Sequence, residues 1–290
     1  MIAEPRYERR SAGNWRLEVI PEKWSNELWE KILLTVERQL PSKHPRTLKL
    51  RLPETELGAL LFLKIFSRVS PLGTLKDIFR SSKALRSLRQ GTALSRAGFQ
   101  VPETLAVGEL RKCRLLQRAF VLTLGIDGKP APVFLRDRCP PRFAGWSLSE
   151  KRSSLKRLAE EVRHLHELGF VHGDLVPSNI LVSETPSGGV CFYFMDNDRT
   201  RRYPIWLPQT LWKRNLVQLN RFPLPGISLQ DRMRFFCAYV GGPDRSKKNQ
   251  RLLHWLEMKT RKRRRACDGA DAKLSFRKLM RWDGKIAEEI

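Results

Sequence analysis

The stretch His172-Gly173-Asp174-Leu175-Val176-Pro177-Ser178-Asn179-Ile180-Leu181-Val182 decides how the rest of the chain is read. It follows the strongest helical pattern in the sequence. Leu155, Leu158, Val162, Leu165 and Leu168 recur there every three or four residues, between a cap at Ser147 or Ser149 and a stop at Gly169. It leads into a strand. A polar turn over Ser183–Gly189 then returns the chain as a second strand, Val190–Met195, which delivers Asp196-Asn197-Asp198 at its end. Asp174 and Asn179 stand five residues apart, so one loop can aim both at a single centre, and the ribbon brings Asp196 to the same place. Moving a phosphoryl group from Mg-ATP to a hydroxyl needs a carboxylate to accept the proton. It also needs oxygen ligands for metal on the phosphates and a cation on the α- and β-phosphates. Asp174 suits the first role, and Asn179 and Asp196 suit the second. Lys64, which interrupts the apolar run Leu60–Phe66, suits the third. A lysine snorkelling from a strand edge is the plain alternative, set against the cost of an unpartnered charge in a buried strand.

Toward the N-terminus, Ser25 caps a helix running to about Leu40, with Leu28, Trp29, Ile32, Leu33, Val36 and Leu40 on one stripe and Pro41 as its stop. Trp15, Trp24 and Trp29 read as core aromatics in preference to membrane-surface ones. Thr47–Leu52 and Ala59–Phe66 read as a hairpin turning at Pro53–Glu56, and Ser81–Ala97 as a helix with Gly98 at its C-terminal cap. Strands follow at Thr104–Val107 and Leu115–Leu124. The glycine- and proline-bearing stretch 125–130 is the expected lobe boundary. Beyond Met195 the chain reads as helical: Thr210–Phe222, Ser228–Val240 with Ser228 and Asp231 as a capping box, Lys247–Lys262 and Ala272–Trp282. No internal repeat is visible. Strands first and helices afterwards predict an α+β protein of two unequal lobes. On this reading 1–46 is a helical extension and the start of the N-lobe, 47–124 the small β-rich lobe, and 125–290 the larger, mainly helical lobe with basic C-terminal helices.

A composition of 41% hydrophobic and 29% charged residues over 290 excludes a disordered or fibrous chain. No apolar stretch approaches the roughly 20 residues of a membrane span. The polar opening with Glu4, Arg6, Glu8, Arg9 and Arg10 lacks a secretory pattern, so a cytosolic location is expected. The 55 Lys+Arg against 30 Asp+Glu give a net charge of +25, a surface that concentrates nucleic acid, anionic lipid or a phosphorylated glycan. The five scattered cysteines contain no CxxC and read as reduced, mostly buried thiols. His164 and His166 point to different faces of the long helix, which argues against a zinc cluster with His172.

These pieces together resemble the lipopolysaccharide kinase family, the Kdo/WaaP kinases. The matching segments are LFLKIF around Lys64, RSSKALRSLRQGTALSRAGFQVPETLAV, LQRAFVLT, LGFVHGDLVPSNILV, FYFMDNDRTRR, NLVQLNRF and DRMRFFCAYVG, covering about Thr47 to Gly241. The resemblance implies a two-lobed protein-kinase-like fold. It also implies ATP- and Mg²⁺-dependent phosphorylation of a sugar hydroxyl, on Kdo or heptose, of the lipopolysaccharide inner core. The expected place is the cytosolic face of a Gram-negative inner membrane. Asp174 is then the catalytic base, Asn179 and Asp196 bind Mg²⁺, and Lys64 contacts the ATP phosphates. Asp198 matches a second acid that binds metal or anchors Arg199 or Arg201. The implied partners are lipopolysaccharide or its core precursor and an anionic membrane surface. Nucleic acid is not expected, because the run Arg261–Arg265, with Lys247, Lys248, Arg251 and Lys259, serves membrane and acidic substrate equally well.

Several departures from protein kinases narrow this reading. Gly173 replaces the arginine that pairs with a phosphorylated activation loop, Asp196-Asn197-Asp198 stands in place of DFG, and no APE follows, so control by activation-loop phosphorylation is not expected. No GxGxxG precedes the first hairpin, which makes Ser42–Arg46, with Lys43, the candidate phosphate cover. No acid lies between Asp77 and Glu103, so the αC-like helix offers Lys64 no glutamate. The competing readings are a kinase-like enzyme for protein or another small molecule, and a non-catalytic basic pseudokinase that binds anionic membrane or nucleic acid.

Overall fold

The computed structural model describes residues 5–39, 46–51, 59–67, 80–113, 115–138, 147–186, 188–204, 206, 211–224, 226–243 and 246–267. Lys43 with most of its phosphate cover, the Pro53–Glu56 turn and the helix expected at 272–282 lie outside the described residues. The chain folds as two compact units, residues 1–126 and 127–290.

The amino-terminal unit is a six-stranded antiparallel sheet in the order β1-β2-β5-β6-β4-β3. Its strands are β1 (Glu8–Ala12), β2 (Trp15–Val19), β3 (Arg46–Arg51), β4 (Leu60–Ser67), β5 (Thr104–Lys112) and β6 (Leu115–Leu124). The expected hairpin is present as β3 paired with β4. Residues 1–46, read as a helical extension and the start of the N-lobe, hold a helix at Asn26–Arg38 preceded by β1 and β2, two strands at the edge of this sheet that were not expected. β2 buries Trp15, Leu17 and Val19 at period two, whereas nearly all of β1 is exposed and carries no hydrophobic signal.

Strict alternation gives the sheet two apolar faces. On one, Leu61, Leu63, Ile65, Phe120 and Leu122 pack with Leu28, Ile32 and Val36 of α1 (Asn26–Arg38). On the other, Phe66, Val107, Ala119 and Val121 meet Ala84 and Leu88 of α2 (Lys83–Arg96). The Ser25 and Ser82 hydroxyls accept the Leu28 and Leu85 amides, each at 3.1 Å, and start the two helices. Trp15 packs against Trp29 and Phe120, so these aromatics belong to the core.

The carboxy-terminal unit holds α3 (Ala131–Arg138), α4 (Leu148–Glu167), α5 (Trp212–Leu219), α6 (Leu229–Val240) and α7 (Lys247–Cys267). Two small sheets lie among them: β9 (Ile180–Glu184) between β7 (Lys129–Pro130) and β10 (Val190–Phe194), and β8 (Phe170–Val171) beside β11 (Arg201–Arg202). Ser147 and Glu150 close a capping box at the head of α4, and Leu158, Val162, Leu165 and His166 form its buried stripe. The helices enclose an apolar cavity of about 120 Å³ lined by Leu135, Leu158, Ile180, Leu216, Phe235 and Tyr239, among others. Among the described residues no helix is long and apolar enough to cross a membrane.

The cysteines depart from expectation. Cys113 is exposed in the β5–β6 turn, and Cys191 and Cys237 are half-buried. On β10 the inward positions belong to Val190, Phe192 and Phe194, which leaves Cys191 between them.

Candidate active site

Asp174 lies in the loop between β8 and a short 3-10 turn at Pro177–Asn179, with its carboxylate partly open to solvent. Asn179 closes that turn. Its N–H bonds the Val176 carbonyl at 2.9 Å, and its Nδ2 donates to the Asp174 carbonyl at 2.9 Å, which sends Oδ1 out on the opposite branch of the amide. The β9–β10 ribbon pairs Ile180 with Phe194, and one step further the Met195 N–H donates to the Asn179 carbonyl at 2.8 Å. Asp196 therefore follows directly from a residue bonded to Asn179.

At Asp196 the backbone turns left-handed, with φ 59° and ψ 52°. Asp tolerates this region better than most residues, yet the conformation still costs about 1 kcal/mol or more, so the surrounding bonds must impose it. His172 supplies one of them. It is fully buried, and its Nε2–H donates to the Met195 carbonyl at 2.9 Å, while Nδ1 has no hydrogen-bond partner. Burial pushes its pKa down, against the opposing pull of the Met195 carbonyl, Asp174 and Asp196, so it is a neutral pin between the two loops. Asn197 is buried and donates to the Phe194 carbonyl at 3.0 Å. Asp198 is buried in the same turn, which leaves Asp196 as the more open of the two acids.

Arg199 was read from sequence only as something Asp198 could anchor. In the structure its guanidinium Nη1 stands 3.6 Å from the Asp174 Oδ2. Gly173 permits this. Its backbone has φ +78°, and a Cβ there would lie 2.7 Å from the Arg199 carbonyl oxygen. The Thr200 hydroxyl donates to the His172 carbonyl at 3.3 Å and Arg201 pairs with Val171, which zips the segment after Asp196 onto the segment before Asp174.

Lys64 belongs to the amino-terminal unit, in β4 between Thr47 and Val121. It is half-buried on the α2 face of the sheet, with Nζ 5.4 Å from the centroid of the Phe66 ring. α2 carries no acid. Glu109 of β5 accepts the Ser82 amide at 3.1 Å and Arg111 at 3.0 Å. Burial opposes ionisation of that carboxyl, but these donors hold its pKa below the usual range.

Two functional candidates were given no role by sequence reasoning, although both stand in the family-like segment NLVQLNRF. Asn215 and Gln218 of α5 bond the loop backbone at Gly173 and Leu175. The segment marks the helix, and nothing in its spacing shows which backbone groups its carboxamides reach.

Among the described residues no three His, Cys, Asp or Glu side chains form a group able to hold a metal ion. His164 is exposed whereas His166 and His172 are buried. The Asn179 amide oxygen and the Asp196 carboxylate are hard donors, two in number. Such a partial set suits Mg²⁺, which keeps waters and substrate phosphates in its shell.

The lipopolysaccharide kinase (Kdo/WaaP) family model matches residues 74–239, more than half of the chain. The chain belongs to this family. The matched span takes in Asp174, Asn179, Asp196, Arg199, Asn215 and Gln218, with Lys64 just upstream of it. Among solved structures, WaaP in complex with acyl carrier protein matches at 21% identity and TM-score 0.58, over 82% of this chain and 95% of that one, which shows a shared kinase-like fold. The PknI kinase domain of Mycobacterium tuberculosis, as a double mutant, matches at 15% identity over 76% and 92% of the two chains, with a TM-score of 0.40. The Rio2 kinase–ADP/Mg²⁺–phosphoaspartate complex of Chaetomium thermophilum matches at 15% identity over 88% and 70%, with a TM-score of 0.38. No curated protein matches the sequence.

Proposed function

We propose that this member of the Kdo/WaaP family transfers the γ-phosphoryl group of ATP to a hydroxyl of an inner-core lipopolysaccharide sugar, Kdo or heptose. The supporting observation is the pair of bonds, His172 to Met195 and Met195 to Asn179, that ties the Asp174 loop to the Asp196 turn. Asp174 would accept the proton of the attacking hydroxyl. Asn179 and Asp196 would hold Mg²⁺, which when bound neutralises charge on the phosphates. Arg199, beside Asp174, would add a cation at the acceptor side, and Lys64 would contact the α- and β-phosphates. Catalysis on this reading is positioning and charge neutralisation.

The net +25 surface favours work at an anionic membrane, the cytosolic face of a Gram-negative inner membrane. Along α7, nine Lys and Arg stand against the single acid Glu257. The neighbouring WaaP was solved with acyl carrier protein, which makes a protein partner of that kind a further expectation. The deciding assay is phosphate transfer from labelled ATP to lipopolysaccharides truncated at successive core sugars. Asp174→Asn should lower kcat by roughly 10²–10⁴-fold, the usual contribution of a general base, while nucleotide affinity stays within a few-fold. A fully active variant removes Asp174 from the role of base.

A further inference from the structure

We propose that Asn215 and Gln218 of α5 are positioning residues that lock the backbone around Asp174, and that the Gly173 N–H, acting through the Asn215 amide, fixes the tautomer of the buried pair His166–Tyr239. This rests on the reading of Asp174 as the base. Gln218 spans Asp174 with both ends of its carboxamide. Its Nε2 donates to the Gly173 carbonyl at 3.0 Å, and its Oε1 accepts the Leu175 N–H at 3.1 Å. One side chain thus holds the peptide groups before and after Asp174, as a neighbouring strand would. A second bond comes from Asn215, whose Oδ1 accepts the Gly173 N–H at 3.3 Å.

The second half of the proposal follows from counting donors and acceptors. With Oδ1 turned to Gly173, the Asn215 Nδ2 must face His166, and it lies 3.1 Å from Nε2. That ring nitrogen has to be the bare acceptor, so Nδ1 carries the hydrogen and donates to the Tyr239 hydroxyl at 3.0 Å. All three residues are buried, and Asn215 is fully so. A charged imidazole would set donor against donor at Nε2. Burial, with a smaller push from His172, drives the His166 pKa down to about 3, so the acceptor form persists at any working pH. Flipping the Asn215 amide would set its Nδ2 against the Gly173 N–H, donor against donor, and leave that buried amide without an acceptor at a desolvation cost. Helices α4, α5 and α6 therefore meet on one loop, and none of these side chains is needed as a ligand for nucleotide or metal.

The test combines a kcat-against-KM split, which a purely structural role would not produce, with amide exchange and the histidine tautomer, which read the bonds themselves. Gln218→Met keeps the bulk and removes both clamp bonds. It should lower kcat about ten- to a hundredfold, the scale of a small misplacement of a reacting group, with KM for ATP and acceptor within about threefold. It should also speed hydrogen exchange at the Leu175 amide, which loses its acceptor, and leave the Gly173 amide, held by Asn215, as the internal reference. Nitrogen NMR of the histidine rings should find the His166 proton on Nδ1 in the wild type. In Asn215→Asp, which keeps the acceptor for Gly173 but loses the donor, that proton should move to Nε2 while most of kcat survives. Unchanged kcat or unchanged Leu175 exchange in Gln218→Met overturns the clamp. A wild-type proton on Nε2 overturns the relay even if the variants fail to fold. Wild-type protein that phosphorylates no lipopolysaccharide, yet shows the protected amides and the Nδ1 tautomer, defeats the functional reading and leaves the clamp standing.

Discussion

A Cβ on residue 173 would sit 2.7 Å from the Arg199 carbonyl oxygen, on a backbone already at φ +78°. Protein kinases carry arginine here, and that side chain has no room when the segment after Asp196 is zipped this closely to the loop. The guanidinium beside Asp174 comes from Arg199, in the other segment. Gly173→Ala should therefore cost about 1–3 kcal/mol of stability, the usual price of a strained left-handed alanine, and lower phosphate transfer at least tenfold by parting Arg199 from Asp174. Urea unfolding and the transfer assay measure the two effects; an alanine variant with wild-type values on both would show that the loops have slack.

At the scale of elements, Asp231, the first residue of the family-like segment DRMRFFCAYVG, turns out to be architectural. Asp231 Oδ2 accepts the Ser228 N–H at 3.0 Å, the Ser228 hydroxyl at 2.9 Å and Lys151 Nζ at 2.9 Å, while Oδ1 takes Arg234 at 3.1 Å. It caps α6 and ties it to the head of α4. Burial works against its ionisation, but hydrogen bonds from Lys151 and Ser228 hold its pKa at about 2. Asp231→Ala leaves the Lys151 ammonium without its buried partner and should destabilise the protein by about 3 kcal/mol. Residual transfer per folded molecule should be near normal at low temperature, which separates this acid from Asp174 and Asp196. Arg264 has a comparable structural duty. It donates to the Asn220 carbonyl at 2.9 Å from Nη2, and burial lowers its pKa, so this cation of the basic helix is not part of its solvated charge.

For the whole molecule, pH and salt are the informative variables. An unfolded imidazole takes up a proton below about 6.5, whereas burial keeps His166 bare down to about 3. Between those values the folded state binds fewer protons than the unfolded one, so stability falls as pH drops through the window, by up to about 1.4 kcal/mol per pH unit. Asn215, Tyr239 and Trp212 surround the ring and offer no carboxylate to offset this. His172, depressed in the same direction, adds to the loss. Unfolding free energy at pH 5 should thus lie about 2 kcal/mol or more below that at pH 7, and a flat profile would mean that the rings are reached by water. The Asp231 contribution has the same sense in a lower window: it is present above about 3.8 and fades as pH falls toward about 2. The cationic surface makes a separate prediction. Vesicles rich in phosphatidylglycerol should bind the protein at low salt and release it near 1 M salt, where screening acts within about 3 Å. Replacing Arg261, Lys262 and Arg265 by Glu should weaken that binding without loss of fold, since all three are exposed.

What could be read from the chain alone was whatever a few consecutive residues specify. The 148–167 helix with its serine cap, the β9–β10 ribbon and the five-residue step from Asp174 to Asn179 are local patterns of periodicity, turn chemistry and spacing. So were β3 to β6 of the sheet. β2 was not read, although it buries Trp15, Leu17 and Val19 alternately, because its five residues lie next to a stronger helical pattern. β1 escaped because its ERRSA side chains mostly face solvent and its place is set by pairing with β2. Arg199 beside Asp174, Asp198 turned inward, and the carboxamides of Asn215 and Gln218 on the loop backbone became known only in three dimensions. These contacts join residues 25 to 45 positions apart. They depend on how α4, α5 and α6 pack and on which polar groups are buried there without water, and no short-range pattern encodes either.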